Sequence, residues 1–293
     1  MISAAGATNI GGVHNLENQD HFFVGERTFG VFDGHGANGD RMARTAMGVC
    51  QTNTHLLFPA MFAMAEDALK SIRGNGGTTA SILQVAEDGS CTVGHVGDSE
   101  VILATDTGTT VLSEDHSALN LSEYRRIQTE SIDPAEFIFA GRPASRPVFV
   151  DVDGSLELNP AGGNYYCNIR GDWASYLRSD LTGEHLAVSR ALGDHDMKWH
   201  GVSAQPSVLS APPPAEGETH AIVMASDGLW DAMRYEDVRA IVRRPDLLGN
   251  ASAAVAVLMQ EALNAGQTHF HGNSDNVCCV VVYVKKGETT TAE

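Results

Sequence analysis

The sequence predicts a layered α+β fold, and three observations carry that expectation. Strand-like runs rich in β-branched and apolar residues recur along the chain, bounded by turn residues. They come in adjacent groups, with helical patterns between the groups rather than after every strand, which argues against a strictly alternating parallel sheet. The 293 residues, 43% of them hydrophobic, suffice for one large domain or two small ones.

The first strand-like run is TFGVF (28–32). Two helical patterns follow, GDRMARTAMGVC (39–50) and LLFPAMFAMAEDALKSI (56–72), the second with a proline near its start. TASILQV (79–85), CTVGHV (91–96) and EVILAT (100–105) then read as strands. LSEYRRIQ (121–128) reads as a helix with Ser122 as its cap. From 128 to 184 the pattern loosens into mixed Gly, Pro, Asn, Asp and aromatic residues. This is an excursion from the core, either a functional lid or disorder, with PVFVDV (147–152) and SLEL (155–158) forming a hairpin in it. HAIVMA (220–225) reads as a strand and YEDVRAIV (235–242) as a helix. NASAAVAVLMQEALNA (250–265) is a helix capped by Asn250, and NVCCVVVYV (276–284) is the last strand. The tail KKGETTTAE reads as a frayed terminus.

Charge narrows the function. Nineteen Lys and Arg against 37 Asp and Glu give a formal net charge of −18, which repels nucleic acid and anionic membranes. The cysteines Cys50, Cys91, Cys167, Cys278 and Cys279 are odd in number and lack a CxxC pair. They fit a reducing compartment. There is no secretory signal or membrane-spanning apolar run, and Ile2 stands where N-myristoylation needs glycine. The expected location is cytoplasmic or nuclear.

Asp-Gly occurs four times, in two kinds of context. Asp88-Gly89 and Asp153-Gly154 lie between strand-like runs and read as hairpin turns. Asp33-Gly34 and Asp227-Gly228 each follow a strong apolar run, and loops entering helices come next. A carboxylate closing a buried strand, with glycine allowing close backbone approach, suits a metal or phosphate site. Asp20, Asp98 and Asp275 also adjoin strand-like runs, though Asp98 alone reads equally as a turn residue and Asp275 alone reads first as one. Carboxylates that converge repel one another unless a cation neutralises them, and hard oxygen ligands favour Mg²⁺ or Mn²⁺.

Seven segments occur in one order: NQD (18–20), VFDGHG (31–36), GTTA (77–80), VGDS (96–99), LAVSRALGD (186–194), ASDGLWD (225–231) and SDN (274–276). Together they resemble the metal-dependent protein phosphatases of the protein phosphatase 2C (PPM) family. The resemblance implies a central β-sandwich of two antiparallel sheets flanked by α-helices, a four-layer α-β-β-α architecture. It implies one domain over 1–293, with an expanded flap at about 128–184, and two Mg²⁺ or Mn²⁺ ions at one end of the sandwich. Asp33 would bridge them, the Gly34 carbonyl would bind one, and Asp227 and Asp275 the other. Asp20 would reach the Gly34 ion, directly or through water. Asp98 and Asp231 match a weaker third site that also uses Asp227. His35 falls where the family places its general acid. The implied reaction is hydrolysis of phosphoserine or phosphothreonine in phosphoproteins by a metal-bridged hydroxide, by a chain acting as a monomer. Two cations about 3.5–4 Å apart suit that displacement, and a histidine suits protonation of the leaving oxygen.

Two departures qualify the resemblance. The family often has a phosphate-gripping arginine five residues before the N-terminal aspartate, and this chain has Asn15, which lacks the guanidinium charge and fork. His14, Arg142, Arg146 and Arg170 are candidates to compensate. The acidic residue many members carry before that aspartate is Gln19. These departures leave a second reading open, a catalytically weak relative serving as a binding or regulatory module. The expanded flap is expected to set protein-substrate choice, so deleting 140–175 should affect phosphoproteins more than a small aryl phosphate. Other chemistries lack their motifs: no cysteine starts a Cys-x5-Arg loop, and there is no Walker GxxxxGK[ST], GxSxG or HExxH. His269 and His271 read as surface residues.

Overall fold

The computed structural model describes residues 1–12, 15–141 and 144–286. His14, Arg142 and the tail from 287 onward lie outside them. Two antiparallel sheets form the centre. One runs β1 (Ile2–Asn9), β18 (Val277–Lys285), β17 (Thr219–Ala225), β7 (Val101–Ala104) and β8 (Thr109–Val111). The other runs β15 (Leu192–Gly193), β4 (Gly77–Thr78), β3 (Thr28–His35), β5 (Ala80–Val85), β6 (Cys91–Val96) and β16 (Ser207–Ala211), with β2 (Asp20–Val24) also paired to β3.

Side-chain alternation makes the layers. In β18, Val277, Cys279, Val281 and Tyr283 face a cluster shared with α5 (Tyr235–Val242) and α6 (Ala251–His269). Cys278, Val280, Val282 and Val284 face the opposite way, into the core between the sheets. The facing sheet does the same: Phe29, Val31 and Leu83 point into the inter-sheet core, while Phe32 and Ile82 meet α1 (Gly39–Thr52) and α2 (Phe58–Leu69). The result is α-β-β-α. Burial on both faces is why these strands read as continuous apolar runs rather than alternating ones. Each buried Val, Leu or Phe contributes about 1.5–3 kcal/mol relative to exposure.

The helices follow their sequence periods. In α2, Phe58, Met61, Phe62, Ala65 and Leu69 are buried at helical spacing, and Pro59 sits in the first turn, where its missing N–H costs nothing. Asn250 caps α6 by accepting from the Ala253 amide, as expected. In α3 (Leu121–Glu130) the cap is Asn120, not Ser122. The Asn120 side-chain oxygen accepts from the Ser122 and Glu123 amides, and Ser122 lies inside the first turn.

The described part of the excursion is folded. It builds a small sheet, β10 (Arg146–Pro147), β9 (Glu136–Phe139), β13 (Ser175–Arg178) and β14 (His185–Leu186), and a hairpin, β11 (Phe149–Val152) with β12 (Ser155–Leu158). Asp153-Gly154 makes that hairpin's turn, and Asp88-Gly89 makes the turn between β5 and β6. Phe137, Phe139, Phe149 and Leu177 form the excursion's own apolar core with Ile127 of α3.

Candidate active site

The site is built where β3 changes partners. From Thr28 to Val31 it pairs with β5, and from Gly34 to His35 with β4. Between the two pairings, Thr79 holds the strand on both sides: its hydroxyl accepts from the Asp33 amide (3.1 Å) and its amide donates to the Asp33 carbonyl (2.9 Å). Asp33 therefore lies within the strand rather than at its end, and the expectation that the strand stops at Asp33 is corrected by the Gly34–Thr78 and His35–Gly77 pairing. Gly34 is required sterically. A Cβ there would sit 2.3 Å from the Gly39 carbonyl oxygen and 2.8 Å from that of Gln19.

Asp20 opens β2 and stands directly opposite Asp33 in the antiparallel register. Like charges in that position repel. The Ser226 hydroxyl donates to Asp20 Oδ2 at 2.7 Å, while Asp20 Oδ1 is buried without a hydrogen-bond partner. Burial, opposed by Ser226 and reinforced by the Asp275 charge, raises the Asp20 pKa to about 7. Asp33 is raised well above the carboxylate range by desolvation and then by the charges of Asp20, Asp227, Asp275 and Asp98. Asp227 opens the short helix α4 (Asp227–Trp230), so a helical turn stands where the sequence reads as a loop leading to α5. Asp227 is raised well above its usual value by desolvation and by Asp275, Asp98, Asp231 and Asp20. Asp98, in the turn between β6 and β7, is raised to about 7 by burial and by Asp115 and Asp231. Asp275 immediately precedes Asn276, whose side-chain amide donates to the Ile10 and Glu17 carbonyls and whose oxygen accepts from the Gln19 amide.

Two cavities of about 360 and 740 Å³ meet at Asp98, Asp227 and Asp275. The larger holds Asp33, Gly34 and His35, and the smaller holds Asn15, Arg170 and Asp231. Asp20 lies beneath them, 2% exposed. Among the described residues, no three His, Cys, Asp or Glu side chains already close on one point as a chelate.

The remaining candidates divide. Asp231 is gripped by the excursion: Asn168 donates to its Oδ1 (3.0 Å) and the Tyr166 hydroxyl to its Oδ2 (3.2 Å). Burial raises its pKa, with those two donors and Arg170 opposing. Asn15 spends its side-chain amide on the Ile10 and Ser274 carbonyls at 2.6 and 3.1 Å, so the donors suited to a phosphate are engaged in tying the chain together. Arg170 lines the cleft, donates to Glu100 (2.8 Å) and meets the Tyr235 hydroxyl (2.6 Å). Tyr235 donates to the other oxygen of Glu100, which is 6% exposed. Arg146 instead bonds the Ala161 carbonyl within the excursion at 3.4 Å and lines neither cavity. Deleting 140–175 would thus strand a buried carboxylate and free Asp231, so the deletion is a poor test of substrate choice. Sequence reasoning assigned no role to Asp194, whose Oδ2 lies 2.7 Å from His35 Nε2, or to Ser226.

The family model for protein phosphatase 2C matches residues 26–270. The chain belongs to the protein phosphatase 2C family. Among curated relatives it is 29% identical over 274 residues to probable protein phosphatase 2C 11 of Arabidopsis thaliana, covering 87% of this chain and 57% of that protein. It spans 57–65% of the length of such plant relatives. Its fold matches the serine-threonine phosphatase 2C of Toxoplasma gondii with a TM-score of 0.69 at 21% identity, covering 97% of this chain and 95% of that one. It also matches the catalytic domain of the serine threonine protein phosphatase PstP in complex with two manganese ions, with a TM-score of 0.58 at 15% identity, covering 97% and 99%. These matches and the layers above establish the α+β protein phosphatase 2C fold. No helix among the described residues is long and apolar enough to cross a membrane.

Proposed function

We propose that this chain is a metal-dependent protein serine/threonine phosphatase acting as a monomer on phosphoproteins, one domain with 128–184 as an excursion beside its active site. The carrying observation is the carboxylate cluster: Asp33 feels the charge of Asp20, Asp227, Asp275 and Asp98 at once. Family membership supports the reading, and PstP binds manganese on the same fold.

The residues fit hard divalent cations. The donors are all oxygen, Asp20 Oδ1 is buried without a partner, and the charges acting on Asp227 are all those of other carboxylates, which oppose its ionisation. Asp33, the Gly34 carbonyl and Asp20 would hold one ion, and Asp33, Asp227 and Asp275 the other, with Asp98 and Asp231 available to a third. Bound there, such cations would activate water and stabilise charge at phosphorus.

The chain's own groups do the rest. Thr79 fixes the Asp33 backbone, and Ser226 fixes one Asp20 oxygen. His35 stands beside Asp33 in the same cavity, placed to protonate the departing seryl or threonyl oxygen. Although burial opposes its charge, the Asp194 carboxylate raises its pKa, which favours the protonated imidazole. Arg170 is the arginine that lines the cleft among the described residues.

The test is p-nitrophenyl phosphate hydrolysis with Mn²⁺, Mg²⁺ or chelator, with Asp227→Asn as control. Turnover needing metal and lost in the variant is expected. Metal-independent turnover, or turnover indifferent to the substitution, overturns the mechanism. The engaged Asn15 amide favours a second reading, a binding module, and inactivity with every metal would select it.

A further inference from the structure

We propose that Asp194 is a positioning residue for His35, fixing which ring nitrogen meets the substrate. The inference rests on the phosphatase reading above and assigns a role to a residue that lies 159 positions away in the chain.

The junction is specific. His35 of β3 and Gly193 of β15 are both register partners of Gly77, one on each side of β4. Gly77 thus lies between the elements that carry the histidine and the aspartate. Its missing side chain makes the meeting possible: a Cβ on Gly77 would stand 2.1 Å from Asp194 Oδ2. Asp194 itself adopts a left-handed conformation, φ 46° and ψ 47°, which few residues besides Gly, Asn and Asp accept. Its amide donates to the Gly76 carbonyl at 3.0 Å, which fixes the turn. The Asp194 side chain is 8% exposed, and His35 is 28% exposed and lines the cleft. A bare hydrogen-bonding turn would not need a buried carboxylate aimed across a glycine at an imidazole.

The chemistry follows from the bond. With Asp194 accepting at 2.7 Å, the Nε2 proton of His35 is held and Nδ1 is left for the cleft. In the reaction, His35 enters as the imidazolium. Water adds its oxygen to phosphorus, one of its protons passing to solvent and the other staying on the product phosphate, and the bond from phosphorus to the seryl oxygen breaks. The Nδ1 proton moves to that leaving oxygen, and the imidazole ends neutral with Nε2–H still on Asp194. Asp194 never touches substrate. It fixes the tautomer and ring orientation, as a carboxylate does for a catalytic histidine elsewhere.

A structural role and a positioning role separate by leaving group. p-Nitrophenolate leaves readily without a proton, and phenolate does not. His35→Ala, Asp194→Ala, Asp194→Asn and the double alanine variant are compared on p-nitrophenyl phosphate and phenyl phosphate with saturating Mn²⁺. Asn tolerates the left-handed backbone and keeps an acceptor, so Asp194→Asn should fold, as a thermal melt will check. The expected result is a fall of at least about tenfold in the phenyl to p-nitrophenyl ratio of kcat for His35→Ala and Asp194→Ala, a threshold set below the about 10²–10⁴-fold that general acid catalysis supplies. Asp194→Asn should fall between these and the wild type, KM should stay within about twofold, and the double variant should be no slower than His35→Ala. An unchanged ratio in His35→Ala sinks the general-acid reading, and this proposal with it. A lowered ratio in His35→Ala with unchanged ratios in both Asp194 variants overturns the role of Asp194 alone. So does a double variant slower than His35→Ala.

Discussion

Asp20 is a buried carboxylate facing another carboxylate across two strands, so replacing it by asparagine should stabilise the metal-free protein. In Asp20→Asn the side-chain oxygen keeps the Ser226 hydrogen bond, and the new amide takes the place of the partnerless Oδ1. The size of the effect follows from proton linkage. The Asp20 pKa is raised from 3.8 to about 7, so native protein binds the proton more tightly than unfolded chain. That stability is intact below about pH 4 and is lost as pH climbs through about 7. A rise of about 3 units at 1.36 kcal/mol each amounts to about 4 kcal/mol at pH 8, as an upper bound. With about 2.1 cal/mol/K of unfolding entropy per residue over 293 residues, this is a shift in Tm of about 6 °C. In chelator, Asp20→Asn should melt higher than wild type at pH 8 and equal to it near pH 4. With excess Mn²⁺ the order should reverse, because wild type gains the cation and the variant holds it less well. A variant less stable than wild type in chelator at pH 8 would refute the claim that this carboxylate is unbalanced without a cation.

Other substitutions test the scaffold around the site. Gly34→Ala places a methyl 2.3 Å from the Gly39 carbonyl oxygen, so urea unfolding should show a loss of about 1–3 kcal/mol or more, with weaker Mn²⁺ binding by calorimetry. Arg170→Ala leaves the Glu100 charge buried and should cost about 3–5 kcal/mol at pH 8. Burial already raises the Glu100 pKa, so the deficit should shrink at acid pH as Glu100 takes up a proton, and adding Glu100→Gln should recover most of it. Asn15→Ala removes two hydrogen bonds to backbone carbonyls. It should lower stability by about 1–3 kcal/mol while changing KM for p-nitrophenyl phosphate less than about twofold. A large rise in KM with unchanged stability would restore Asn15 as a phosphate contact.

Much of this architecture can be read from the chain because burial on two faces leaves a strong trace. β17 and β18 are near-continuous apolar runs, and the contexts of the four Asp-Gly pairs separate two hairpin turns from two residues that line the proposed site. β1 leaves almost no trace, since ISAAGATN has little β-branched or large apolar content. Its small residues answer to packing: a Cβ on Gly6 would fall 2.5 Å from the Phe22 ring. β9 and β13 hide for a different reason. They are four residues each, set among Gly, Pro and Asn, and their partners lie on the far side of a hairpin. The site divides similarly. Motif order singles out Asp33, Asp227 and Asp275, but Asp194 follows a glycine and looks like any turn until β4 brings it to His35. Asn15 shows the converse limit. Its place in the motif suggests a ligand, and only the fold reveals the two carbonyls that claim it.

The grip of Tyr166 and Asn168 on Asp231 makes the excursion and the cluster a single thermodynamic system. Each Asp231 oxygen accepts one hydrogen bond and keeps a second lone pair, so a cation could share the carboxylate with the excursion's donors, which orient it. A cation there would also hold Asp231 ionised against the burial that raises its pKa. Docking of the excursion and occupancy of a cation position that recruits Asp231 therefore support each other, by linkage by the same factor. Cleavage by a protease between 140 and 175 should then slow as Mn²⁺ rises, and Asp231→Asn should abolish that dependence. The excursion would in that case report on the ion content of the cleft, as well as covering part of it.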